Sequence, residues 1–183
     1  MRNSALIFVL LAACAQPAEQ EKLLDIRPFT LVDHDGRVFR SESLHGKPAL
    51  LFFGYTHCPD ACPTMMSRVA RAYRLAGVKA QDIPTLFVSV DPRDTPPVLE
   101  QYLSYFAAVP AKGLTGSKAQ VDAVVKQFAA TYQIRETGSA AGPLVDHTVR
   151  LYLLDREGDV VRLFDPSTDV AEIARALRKQ MEI

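Results

Sequence analysis

The sequence has no surplus of either charge. Its 21 Lys and Arg residues face 21 Asp and Glu, and the basic residues form no stripe. Neither nucleic acid nor an anionic membrane surface is favoured as a partner. No hydrophobic run is long enough to cross a bilayer, and there is no internal repeat or low-complexity tract. Cysteine is scarce: Cys14, Cys58 and Cys62 are the only three in 183 residues. What the chain does contain falls into three zones.

The first zone reads as a targeting segment. Arg2 supplies a positive start, and residues 5–13 (ALIFVLLAA) run apolar without a break. That length suits the core of a signal peptide and is too short for a membrane span. Leu11-Ala12-Ala13-Cys14 places small residues before a cysteine, the pattern of a bacterial lipoprotein cleavage site. The expectation is a signal peptide over 1–13, lipid on Cys14, and a tether over 14–27 that opens with Gln, Pro, Glu and Ala. Residues 28–183 then form one domain, long enough for a sizeable core. The predicted location is the bacterial cell envelope, periplasm-facing and attached to a membrane by lipid.

Residues 29–33 and 37–39 flank Asp35-Gly36, a turn signal, and predict a hairpin. Residues 49–55 (ALLFFGY) form a continuous apolar run, as in a buried parallel strand. A helix is expected between Pro59 and Leu75, with Cys62, Met65, Met66, Val69, Tyr73 and Ala76 at helical spacing and Gly77 as the stop. Residues 85–90 read as a second buried strand. Further helices are expected over 96–107 with Thr95 as N-cap, over 117–130, and from about Asp169 onward. Strands 149–154 and 160–164 flank a hairpin loop. The order predicts an α/β fold, a thioredoxin-like mixed sheet covered by helices on both faces.

Cys58 falls where the first core strand meets its helix, and Cys62 follows one turn later. The positive helix end favours a thiolate there. Pro63 would clash with the carbonyl of Pro59 in a regular helix, so the regular helix is expected to begin near Pro63. The pair fits a disulfide, a redox dithiol or a soft metal site. Three residues lie between the cysteines, and on that spacing alone a disulfide precedes a metal. Of the histidines, His34 and His45 read as exposed loop residues. His57 adjoins Cys58; adjacent side chains at such a junction usually diverge, and His57 stands only as an alternative ligand. His147 precedes a core strand and, in a thioredoxin-like fold, lies beside the cysteine loop. Asp146 either orients that imidazole or is a turn residue.

Three motifs occur in order: FGYTHCPDACP over 53–63, SVDPRDTP over 89–96, and Asp146-His147-Thr148 followed by LYLLD over 151–155. Together they resemble the Sco/SenC family across about residues 28–181. The resemblance implies a thioredoxin-like fold that binds copper through Cys58, Cys62 and His147. It also implies a role in assembling the dinuclear copper site of cytochrome c oxidase subunit II, the expected recipient. Copper(I) is the expected state, with copper(II) accommodated by Asp146 or water as an extra hard ligand. Asp91 and Asp94 need no role beyond turn and helix capping. Ala61 departs from the larger aliphatic residue common in the family, and lipid replaces the transmembrane anchor of many members. A thiol–disulfide oxidoreductase, with Cys58 attacking and Cys62 resolving, uses the same residues. A peroxidase has only Arg93 as a loose activating candidate, and a purely structural lipoprotein would keep the pair as a permanent disulfide.

Overall fold

Alternating apolar side chains on both sides of residues 49–54 build the fold outward from one strand. The computed structural model describes residues 21–138 and 142–181. In chain order the elements are β1 (Thr30–Asp33), β2 (Val38–Arg40), β3 (Ala49–Gly54), α1 (Ala61–Ala76), β4 (Thr85–Ser89), α2 (Pro96–Ser104) and β5 (Lys112–Thr115). There follow α3 (Lys118–Gln127), β6 (Tyr132–Arg135), β7 (Leu144–His147), β8 (Leu151–Leu154), β9 (Val160–Phe164) and α4 (Val170–Met181). Seven strands make a mixed sheet in the order β2-β1-β5-β4-β3-β8-β9, and β6 pairs with β7 in a separate ribbon. β3, β4 and β5 run parallel, and β8 and β9 return antiparallel.

Every residue of β3 is buried. Leu50 and Phe52 face one layer, formed by α1, α2 and α4 with Met66, Val69, Leu99, Ile173 and Leu177. Ala49, Leu51 and Phe53 face the other, where α3 contributes Val121, Val124 and Val125. This is the period-2 alternation of a strand covered on both sides, and it bears out the expected mixed sheet. Gly54 pairs with Ser89, so β3 and β4 end together. The cysteine loop and the 89–96 turn therefore leave the sheet side by side.

Element ends differ from expectation in explicable ways. α1 begins at Ala61, ahead of Pro63, because Asp60 is non-helical at φ −141° and ψ −64°. That conformation takes the Pro59 carbonyl out of the path of the Pro63 ring, and a first-turn proline forgoes no helix hydrogen bond. Gly77 ends the helix in the left-handed region at φ 68°, as expected. α2 stops at Ser104 because the amides of Tyr105 and Phe106 turn to the carbonyls of Tyr102 and Leu103. α3 starts at a capping box between Ser117 and Gln120, and ends at Gln127 before Ala129 takes φ 48°. Three short strands, β5, β6 and β7, were not expected.

The expected tether 14–27 is in part pinned to the sheet. Leu24 bridges Val160, and the Ile26 amide donates to the Asp159 carboxylate at 2.9 Å. Lys22 pairs with the same carboxylate at 2.5 Å. The expected signal peptide over 1–13 and the expected lipid site Cys14 lie outside the described residues.

Leu177 is fully buried between α4 and α1. Leu177→Ala should lower unfolding free energy by about 3 kcal/mol, a typical cost for a large-to-small core change. Urea denaturation measures this. Because α4 does not carry the cysteines, thiol reactivity of the folded variant should match that of the parent.

Candidate metal centre

The strand-to-helix junction sets the two thiols. The Cys58 amide donates to the Tyr55 carbonyl at 3.3 Å, closing the loop after β3. Cys58 is half-buried and Cys62 is 1% exposed, and both are free thiols. The backbone amide of Cys62, at the open start of α1, donates to Cys58 Sγ at 3.4 Å. Gly54 makes room for this arrangement. A Cβ there would stand 2.7 Å from Cys62 Sγ and 2.8 Å from Phe87 Cε2, so only a residue without a side chain lets the sulfur settle on the strand end.

His147 arrives on the ribbon, at the end of β7 and directly opposite Tyr132 of β6. Its Nε2 lies 3.9 Å from Cys62 Sγ. Its Nδ1 faces the Thr148 carbonyl at 3.1 Å. A carbonyl only accepts, so Nδ1 carries a proton, and Nε2, which faces the sulfurs, is the ring nitrogen placed to ligate a metal. The Tyr55 ring meets the imidazole edge-on, with centroids 5.8 Å apart and planes at 88°. Ligand atoms of Cys58, Cys62 and His147 all lie within 4.8 Å of one another. Metal–sulfur bonds of about 2.3 Å, as in zinc thiolates, place the ligands of a trigonal site about 4 Å apart. Two sulfurs and one neutral nitrogen therefore fit a soft ion with small adjustment.

The two thiols are not equivalent. The Cys62 thiol hydrogen-bonds to Cys58 and holds the Cys58 pKa far below the ordinary thiol value. Burial opposes this, while His147 and the amides of Cys62 and Asp60 assist. Cys62 moves the other way, raised by its hydrogen bond to Cys58, by burial and by the Cys58 charge. The free protein thus holds one thiolate, on the more accessible sulfur, and one protonated thiol beneath it.

A second layer of contacts comes from the 89–96 turn. Asp94 is 1% exposed and accepts from the Thr56 amide at 2.9 Å, the Thr56 hydroxyl at 2.7 Å and the Ser89 hydroxyl at 2.6 Å. Asp91 is paired with the Arg93 guanidinium at 2.6 Å. His57, Asp91 and Asp94 also cluster, but both carboxylates are already taken by these donors. His57 is exposed and meets the Thr56 hydroxyl at 3.1 Å. His34 accepts from the Gly113 amide at 2.9 Å, and His45 is an exposed loop residue as expected.

Asp146 stands away from the imidazole. Adjacent strand residues point to opposite faces, and its carboxylate is paired with Arg135 at 2.6 Å on the exposed side of the ribbon. The group at Nδ1 is the Thr148 carbonyl instead. Arg93 is held by Asp91 and by the Pro143 carbonyl at 2.9 Å. Sequence reasoning missed Gly54, Tyr55, Thr56 and the Thr148 carbonyl. Only Gly54 left a trace, as a glycine at the end of an otherwise apolar strand.

Two thiols at a helix start, faced by an imidazole on a ribbon, give a thioredoxin-like domain with a candidate soft, three-ligand centre. The SCO1/SenC family model matches residues 17–182, and the chain belongs to that family. Protein SenC of Rhodobacter capsulatus is 40% identical over 139 residues, covering 75% of this chain and 62% of the relative. Mitochondrial Protein SCO2 of Saccharomyces cerevisiae is 37% identical over 160 residues, covering 85% of this chain and 52% of the relative. The chain thus spans little more than half of these relatives' length. Bradyrhizobium japonicum ScoI with copper bound superposes with a TM-score of 0.75 at 37% identity, over 84% of this chain and 98% of that one. A SCO1/SenC family lipoprotein from Bacillus anthracis gives 0.75 at 26% identity, over 90% and 99%. Among the described residues no helix is long and apolar enough to cross a membrane.

Two outcomes follow from the site's geometry. An ordinary thiol loses alkylation rate about tenfold per pH unit below its pKa. Because Cys58 is already ionised well below neutrality, its iodoacetamide rate should stay level from about pH 8 to pH 6, with Cys62 unlabelled. A continuing tenfold fall per unit would contradict the thiolate assignment. Gly54→Ala should displace Cys62 Sγ and destabilise the fold by about 1–3 kcal/mol through overpacking, read by urea denaturation.

Proposed function

We propose that this chain is a metallochaperone that binds copper through Cys58, Cys62 and His147 and delivers it to the dinuclear copper site of cytochrome c oxidase subunit II. The observation that carries this reading is the donor set: two sulfurs and the Nε2 nitrogen of His147 converging within 4.8 Å. Thiolate and neutral imidazole suit copper(I) and disfavour hard cations. The copper-bound state of Bradyrhizobium japonicum ScoI supports the same ion. Copper enters at the accessible Cys58 thiolate, and the buried Cys62 gives up its proton as the second bond forms. Loading at neutral pH therefore releases about one proton per ion. Transfer proceeds by exchange of these ligands for a recipient's thiolates and imidazoles. The pair must be reduced to load. Lipid on Cys14, after cleavage behind Ala13, would hold the domain at a bacterial membrane on its periplasmic side.

Copper(I) competition titration on the reduced protein tests this. Cys58→Ser/Cys62→Ser should abolish tight binding, and undiminished affinity would overturn the proposal. His147→Ala should weaken binding by more than about tenfold, a loss that even outer partners of a metal ligand produce. Unchanged affinity would remove the third ligand.

The unequal thiols favour a second reading, a thiol–disulfide oxidoreductase acting on the same recipient. Cys58 thiolate would attack the recipient's disulfide, forming a mixed disulfide and expelling one recipient thiolate. Cys62 would then attack Cys58 Sγ, releasing the second. The recipient gains two electrons and the Cys58/Cys62 pair loses two. Stopped-flow exchange with a disulfide form of the recipient domain tests it, and exchange no faster than with free dithiothreitol removes it.

A further inference from the structure

The ribbon that carries His147 has little support of its own. A two-stranded antiparallel ribbon is marginal in water without tertiary contacts. Seven of the eight residues in β6 and β7 are at least partly exposed, and only Val145 is buried. Side-chain anchors therefore decide where the imidazole stands. At one end of the ribbon, Tyr132 donates to Asp122 of α3 at 2.6 Å. At the other end, just before β7, the anchor is Arg93. Its Nη2 donates to the Pro143 carbonyl at 2.9 Å and to Asp91 Oδ2 at 2.6 Å. Its Nε donates to Asp91 Oδ1 at 2.9 Å.

Asp91 is itself buried, 3% exposed, and its amide donates to the Ser89 hydroxyl at 3.1 Å. The guanidinium also packs beneath Gly142, where a Cβ would stand 2.5 Å from Nη1 and the backbone has φ +82°. The same turn grips the other half of the centre. Asp94 holds Thr56, two residues before Cys58, by amide and hydroxyl at once. One turn at the end of β4 thus touches both ligand-bearing segments, whose Cys62 and His147 are 85 positions apart.

We propose that the Ser89–Asp94 turn is a clamp that sets the distance between the thiols and the imidazole, and that Arg93 is its positioning residue for His147. This rests on the reading of Cys58, Cys62 and His147 as a metal centre. The guanidinium suits the task because its planar fork binds a carboxylate and a carbonyl together. A lysine has no such fork and would serve one of the two at a time.

Two measurements on the full chain test the clamp, with Arg93→Ala, Arg93→Lys and Gly142→Ala. The first uses the metal-free, reduced protein. Amide hydrogen exchange over residues 132–135 and 144–147 should accelerate in Arg93→Ala and Gly142→Ala, while β3 and β4 keep parental protection. Gly142→Ala leaves Asp91 its charge partner, so it reports on the clamp even if Arg93→Ala loosens the whole fold. Parental exchange of the ribbon in both variants would overturn the proposal. The second is a double-mutant cycle in copper(I) affinity. Arg93→Ala should weaken binding about tenfold, the lower bound for an outer partner of a metal ligand, and Arg93→Lys should recover only part of that. In a His147→Ala background Arg93→Ala should change nothing. A full additive loss on top of His147→Ala would overturn the assignment to His147. Should His147→Ala itself leave affinity unchanged, the metal reading fails, and hydrogen exchange alone then decides the clamp.

Discussion

The centre depends on one constraint: three chain segments must end at the same edge of the sheet. β3 delivers the cysteine loop there, and β4 ends level with it through the Gly54–Ser89 pair. The ribbon then brings His147 to within 3.9 Å of Cys62 Sγ. None of these segments can shift alone. β3 is buried on both faces, Cys62 sits against a strand residue that has no side chain, and the turn after β4 is tied to the cysteine loop through Asp94. Close packing of this kind transmits displacement rather than absorbing it. A change at Gly54 or in the 89–96 turn is therefore felt at the sulfurs.

The same junction explains why the thiols divide their roles. Cys58 stands near the open amides at the start of α1, which stabilise negative charge. Cys62 lies one turn deeper, under the apolar layer formed by Phe87 and Met65. One site therefore combines an accessible nucleophile with a buried proton reservoir. In either proposed chemistry, metal capture or thiol exchange, Cys58 would react first and Cys62 would lose its proton later. A single geometry supports two chemistries, and the imidazole is the part that only metal binding uses.

Much of the fold was legible in the sequence because its central elements are strongly patterned. The run 49–54 and the helical spacing of Cys62, Met65, Met66, Val69 and Tyr73 located the junction and both thiols. Thr95, expected at the N-cap, stands at that position, and the helix start expected at Ser117 lies one residue before Lys118. The ribbon escaped notice because Gln133, Ile134 and Arg135 are exposed on both of its faces, leaving no period to detect. His147 was placed by the expected fold and the motif resemblance, not by any local pattern. Asp146 shows the limit of adjacency: one step along a strand turns a side chain to the opposite face. The Thr148 carbonyl at Nδ1 is main chain, so no residue type announces it. Arg93 bonds to a carbonyl 50 positions away, a contact that exists only once the chain has folded.

The central claim is a trigonal site of two sulfurs and one nitrogen. X-ray absorption of the copper(I)-loaded, reduced protein reads that coordination directly. The account predicts two sulfur scatterers and one imidazole nitrogen, with the nitrogen shell lost in His147→Ala. A linear site of two sulfurs in the parent protein, unchanged by His147→Ala, would contradict it.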